Sequence, residues 1–157
     1  MKALILALAL TGCAASAETT RIDATDKMAS SVWIGDQFGM HADGSHSQGT
    51  VFVTIGPDGA YTARGYYRGT RDCMQPSEPW TGVLYRISSR VYGALNDGAT
   101  QAWYVLNVAP GYGQATASLI TKGTGPLVER NELIRQNAAA VQAVEELIKP
   151  YTCEESP

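Results

Sequence analysis

Residues 50–68, TVFVTIGPDGAYTARGYYR, most narrow what this chain can become. Two alternating runs, Thr50 to Ile55 and Ala60 to Arg68, flank Gly56-Pro57-Asp58-Gly59. Proline pre-sets φ there and glycine supplies the reversal, so the stretch predicts a β-hairpin. Runs of the same period follow at Thr81 to Ser88, continuing towards Tyr92, then at Gln101 to Val108 and Gln114 to Thr121. "NDGAT" and "APGYG" supply turns between them, and Val32 to Phe38 is an earlier candidate strand interrupted by Gly35. One face of these runs is apolar or aromatic: Val51, Val53, Ile55; Tyr61, Ala63, Tyr67; Val83, Tyr85, Ile87; Tyr104, Leu106, Val108; Ala117, Leu119. Such alternation belongs to antiparallel strands with one buried face.

The pattern changes at Gly125-Pro126. Residues 127–148 hold no glycine or proline, and Leu127, Ile134, Val141 and Ile148 recur every seven positions. Leu133, Ala140 and Leu147 widen this stripe, with Glu129, Glu132, Glu145 and Glu146 opposite. The periodicity predicts one long amphipathic helix, which Pro150 stops. The expected class is therefore α+β: an antiparallel sheet of about five strands with the C-terminal helix packed on its apolar face. The alternative is a small β-barrel with the same helix, the sheet curling to bury its aromatics.

The first 17 residues stand apart from this domain. Lys2 precedes an apolar run from Ala3 to Leu10, far shorter than the roughly 20 residues a spanning helix needs. Small residues follow at once, so 1–17 reads as an export signal. Two processing sites overlap in it. Ala15-Ser16-Ala17 predicts a cut after Ala17 and a soluble periplasmic or secreted protein. Leu10-Thr11-Gly12-Cys13 resembles the lipobox of bacterial lipoproteins. That resemblance implies a cut before Cys13, lipid on its sulfur and, with Ala14 next, an outer-membrane anchor facing the periplasm. Residues 18–31 read as a polar tether or short N-terminal segment, and 32–157 as a single globular domain.

The chain carries 12 Lys+Arg against 15 Asp+Glu, and loss of Lys2 leaves 11 against 15, a net charge of −4. No nucleic-acid partner is expected of an acidic chain. Of three cysteines, Cys13 is lipidated or removed, so Cys73 and Cys153 are expected to pair in an oxidising compartment. Closing that loop is worth about 4 kcal/mol in the chain-entropy model.

The second face of the strands carries Arg64, Tyr66, Arg68, Arg86, Arg90 and Trp103, types enriched at binding hot spots. It suits an envelope protein or an anionic or sugar-bearing cell-wall component. In the barrel alternative the aromatics are buried and the arginines reach out to water. "HADGSH" places His41, Asp43 and His46 within six residues, a set able to hold a transition metal, beside Ser45 and Ser47. Solvated loop histidines are the simpler reading, since no H-E-x-x-H or G-x-S-x-G spacing supports catalysis. The expectation is thus an exported, non-enzymatic binding or assembly module without cofactor. A metal-dependent or serine-type hydrolase using the 41–47 loop is the alternative.

Overall fold

The computed structural model describes residues 19–40, 44–68, 73–95, 103–120 and 128–153. It contains β1 (Thr20–Arg21), β2 (Ser31–Met40), β3 (His46–Ile55), β4 (Ala60–Arg68) and β5 (Gln75–Pro76). β6 (Trp80–Arg86), β7 (Val91–Leu95), β8 (Trp103–Val108), β9 (Gln114–Ile120) and β10 (Val128–Gln136) follow, then helix α1 (Ala138–Ile148). β2, β3 and β4 pair antiparallel in succession, as do β6 to β10. β4 also pairs with β6, and β10 returns to β2, so eight strands close into an up-and-down barrel. β1 adds to β6 and β5 to β4.

This closure overturns the open five-stranded sheet and agrees with the barrel alternative. Beyond β2, which covers the candidate strand at Val32 to Phe38, two strands make the difference. Val91–Leu95 forms its own strand after a turn at 87–90, where a single run towards Tyr92 was expected. The stretch expected to open the long helix is β10, which pairs with β2 along its whole length and with β9 on its other side. Leu133 and Ile134, neighbours on the expected helical stripe, therefore point to opposite faces. Leu133 is buried, and Ile134 is half exposed. The two open edges of β9 and β2 demand a partner for their backbone groups, and that demand outweighs the helical periodicity of the side chains. The helix starts only at Asn137, an extended N-cap whose side chain accepts from Ala140 N at 2.9 Å.

The apolar face is the barrel interior, not a surface under the helix. Trp33, Val51, Val53, Ile55, Tyr61, Leu106 and Leu133 are all buried there. Asp36, Arg64, Arg130 and Glu132 project outward and are exposed, the reverse of a lipid-facing barrel. In β6 the phase is opposite to expectation. Leu84 is inside and fully buried, while Val83 and Tyr85 are only half-buried. α1 lies on the outer side, burying Val141, and its Glu145 meets Arg64 Nη2 at 2.6 Å.

One end of the barrel is plugged by residues 22–30, within the stretch expected as a tether. Met28 is fully buried, with Ile22 and Ala29 nearly so. Asp26 fixes the plug: its carboxylate accepts from Met28 N at 2.8 Å, from the Tyr92 hydroxyl at 3.1 Å and from the Arg86 guanidinium. Arg135 adds a bond to Lys27 O at 2.9 Å. At the C-terminal side, Cys73 and Cys153 form the expected disulfide, with Cα atoms 5.0 Å apart. Backbone bonds from Met74 N to Tyr151 O and from Cys153 N to Met74 O flank it.

A strongly curved sheet needs glycine where strands crowd. A Cβ on Gly35 would stand 2.0 Å from the Glu132 carbonyl oxygen of β10. Gly35→Ala is expected to cost about 2 kcal/mol or more through forced backbone movement. Gly113→Ala, where nothing lies within 4 Å, should stay within about 0.5 kcal/mol of the parent. Equal urea midpoints for parent and Gly35→Ala would refute the close approach at this seam.

Candidate functional site

In the half of the barrel away from the plug, the interior turns aromatic and polar. Trp80 opens β6, Tyr104 lies near the start of β8, and Glu129 and Asn131 lie near the start of β10. Tyr61 of β4 joins them. Its ring centroid is 5.3 Å from Trp80 and 6.2 Å from Tyr104, and Trp80 lies 4.7 Å from Tyr104. The Tyr104 hydroxyl donates to Glu129 Oε1 at 3.0 Å, and Asn131 Nδ2 donates to the same oxygen at 3.1 Å. Rings, carboxylate and amide thus form one connected cluster.

Its walls include unusually small residues. Register places Gly49 and Gln37 on the inward side with Asn131, and Gly65 and Gly35 with Val51. Ala63 and Ala117 are buried on the same side. Eight-stranded barrels are wide enough either to be filled by side chains or to hold one small ligand.

Three buried polar atoms of the cluster have no hydrogen-bond partner: Tyr61 Oη, Trp80 Nε1 and Asn131 Oδ1. Tyr61 and Asn131 are each 1% exposed, so water at the surface does not reach them. An unpaired buried polar group costs about 1–3 kcal/mol, and such atoms in a native fold call for a specific reason. Burial, reinforced by the nearby Glu129 charge, pushes the Tyr61 and Tyr104 phenols well above their ordinary value. Both phenols stay protonated at physiological pH and can donate hydrogen bonds.

The residues of the expected outer binding face fall on several elements. Arg64, Tyr66 and Arg68 alternate along β4, but Arg64 is paired to Glu145 of α1 and covers Phe52, whose ring meets Tyr66 edge-on at 6.1 Å. Arg68 borders a shallow groove with Met74, Leu147, Ile148 and Tyr151. Arg86 is engaged by Asp26 at the plugged end, and Arg90 sits in the exposed turn between β6 and β7. Trp103 begins β8 opposite Leu95 and Ile120. His46 is exposed and stacks on Phe38 at 5.5 Å, whereas its neighbour Ser47 is buried on the inward side of β3. His41, Asp43 and Cys13 lie outside the described residues. Among the described residues no cluster of three metal-ligating side chains occurs.

Tyr61 and Tyr104 were legible as inward residues. Trp80 reads as loop in the sequence, and Glu129 and Asn131 were hidden inside the expected helix. The signal that could have exposed them is the alternation Glu129-Asn131-Leu133, which continues inward along a strand but not along a helical stripe.

The raised phenol pKa values carry a sign. A group whose pKa is higher folded than unfolded gives stability that is complete below the unfolded value and fades as pH climbs through the folded one. Unfolding free energy should therefore fall as pH rises above about 10, the ordinary tyrosine value. Tyr61→Phe should flatten part of that slope in alkaline urea titrations. An unchanged slope would contradict the burial of this phenol. Comparison of the chain with protein-family models, with curated proteins and with solved structures finds no match to any of them.

Proposed function

We propose that this chain is a small exported binding protein of the bacterial envelope that holds one small ligand inside its barrel, against Tyr61, Trp80, Tyr104, Glu129 and Asn131. The observation that carries the reading is the group of unpartnered buried atoms on Tyr61, Trp80 and Asn131. Closed barrels of this size elsewhere use the interior in this way. The neutrality of the two phenols supports the reading, since it fits holding a ligand better than transforming it. Export rests on the apolar run before Gly12, and a lipid anchor rests on Leu10-Thr11-Gly12-Cys13. An envelope protein or an anionic or sugar-bearing cell-wall component is the partner proposed for the outer face that carries Arg64, Tyr66 and Arg68.

A second reading, the hydrolase of the 41–47 loop, has one observation in its favour: the Ser47 hydroxyl is buried on the interior side, where a bound substrate would lie. Ester hydrolysis abolished by Ser47→Ala, with ligand binding retained, would favour it over simple carriage.

N-phenyl-1-naphthylamine, a small neutral fluorophore, tests the main reading. Saturable one-to-one binding with energy transfer from tryptophan is expected. Absence of saturable binding by folded protein would overturn interior carriage. Intact mass of the exported protein should begin at Cys13 with diacylglycerol and a further acyl chain. A mass beginning at unmodified Glu18 would refute the anchor while leaving the barrel reading untouched.

A further inference from the structure

The unpartnered atoms differ in sign, and their signs restrict the ligand. Trp80 Nε1 can only donate, and the neutral Tyr61 hydroxyl, which accepts as well, has a proton left to donate; the two ring centroids are 5.3 Å apart. Asn131 Oδ1 can only accept. Its orientation is fixed, because Nδ2 of the same amide donates to Glu129 Oε1 at 3.1 Å and the reverse orientation would set oxygen against carboxylate. The cluster therefore offers two donors and one acceptor, framed by aromatic rings and flanked by a carboxylate. Three aromatic rings beside a carboxylate also resemble a cage for an organic cation. A quaternary ammonium, however, can satisfy neither Trp80 N–H nor Tyr61 O–H, and has no N–H for Asn131. An anion fares no better, since it would meet the carboxylate of Glu129.

We infer that the barrel takes a planar, neutral ligand bearing a carbonyl oxygen beside N–H groups: a cyclic amide, cyclic urea or nucleobase. Its carbonyl accepts from Tyr61 and Trp80, one N–H donates to Asn131, and its flat faces lie among the rings of Tyr61, Trp80 and Tyr104. This inference rests on the interior-binding reading above and adds the chemical class. Each of the three unpartnered atoms then gains a bond that the unliganded interior does not provide. A site built to hydrogen-bond such groups discriminates strongly against analogues lacking them, because its own polar atoms are left unpaired again.

The test uses the mature protein with N-phenyl-1-naphthylamine bound, titrated with uracil and with imidazolidin-2-one, and with tetramethylammonium as the cationic control. Either neutral compound should displace the fluorophore, and tetramethylammonium should not. Dimethylation at both ring nitrogens, as in 1,3-dimethyluracil, removes the N–H groups without altering the protein and should weaken displacement at least about tenfold. Tyr61→Phe, with its fold verified by near-ultraviolet circular dichroism, should weaken uracil or imidazolidin-2-one by a similar factor when each is measured against that variant's own fluorophore affinity. If the fluorophore binds and neither neutral compound displaces it at millimolar concentration, the class is wrong while interior binding stands. Displacement by tetramethylammonium, or equal displacement by the dimethylated compound, likewise overturns the class. If the fluorophore itself does not bind, the interior-binding reading is the one that fails.

Discussion

Closure of the backbone ladder is the constraint on which this structure depends. β10 sits between β9 and β2, and without it both neighbours would present unpaired N–H and C=O groups along their length. The other seam, between β4 and β6, is short, spanning Ala60–Ala63 against Trp80–Val83. β1 and β5 extend it on either side, pairing with stretches of β6 and β4 that the seam itself leaves unpaired. Closure turns one face of every strand into an enclosed volume, so what that face carries decides whether the barrel is solid or receptive. Here it carries Trp33, Tyr92 and aliphatic bulk near the plug, and the cluster of Tyr61, Trp80, Tyr104, Glu129 and Asn131 further along.

The plug and the clasp hold the ring at different places. Asp26 gathers a backbone N–H, a phenol and a guanidinium at one point, tying residues 22–30 to β6 and β7. A carboxylate this deeply buried is tolerable only because every one of these donors is present, and removal of a partner would leave an uncompensated charge. The disulfide acts on the outside instead, joining the end of α1 to the segment between β4 and β5. It secures the helix whose Glu145 pairs with Arg64 and leaves the interior cluster untouched.

How far the sequence could be read follows from what a small barrel asks of its inward positions. The hairpin from Ala60 back to Ile55 was plain, because its turn residues and alternation agree, and β4 runs over the residues expected for it. Cys73 and Cys153 were plain by elimination. β6 was read in the wrong phase because its inward positions are Trp80, Gly82 and Leu84, and a glycine at the crowded seam breaks the apolar rhythm that marks an inward face. β10 was lost altogether. Its inward Glu129 and Asn131 are polar, and in the sequence around it the chance spacing of Leu127, Ile134 and Val141 imitates a helix. Places where local pattern and final fold disagree tend to be sites with another task. The two inward polar residues of β10 are the ones that complete the proposed binding cluster.

The position of the first strand has a geometric consequence for how the molecule would stand at a membrane. Thr20 pairs with Arg86, so the chain enters the barrel at the plugged end. Residues 14–19 are all that separate Cys13 from this point, a reach of about 20 Å at full extension. An acyl anchor on Cys13 would therefore hold the barrel base-down and close to the bilayer. The plug of Met28 and Asp26 would face the lipid headgroups, and the end bearing Trp80, Tyr104 and Glu129 would point into the aqueous compartment. A cup moored by its base can exchange its contents with solvent without releasing its mooring.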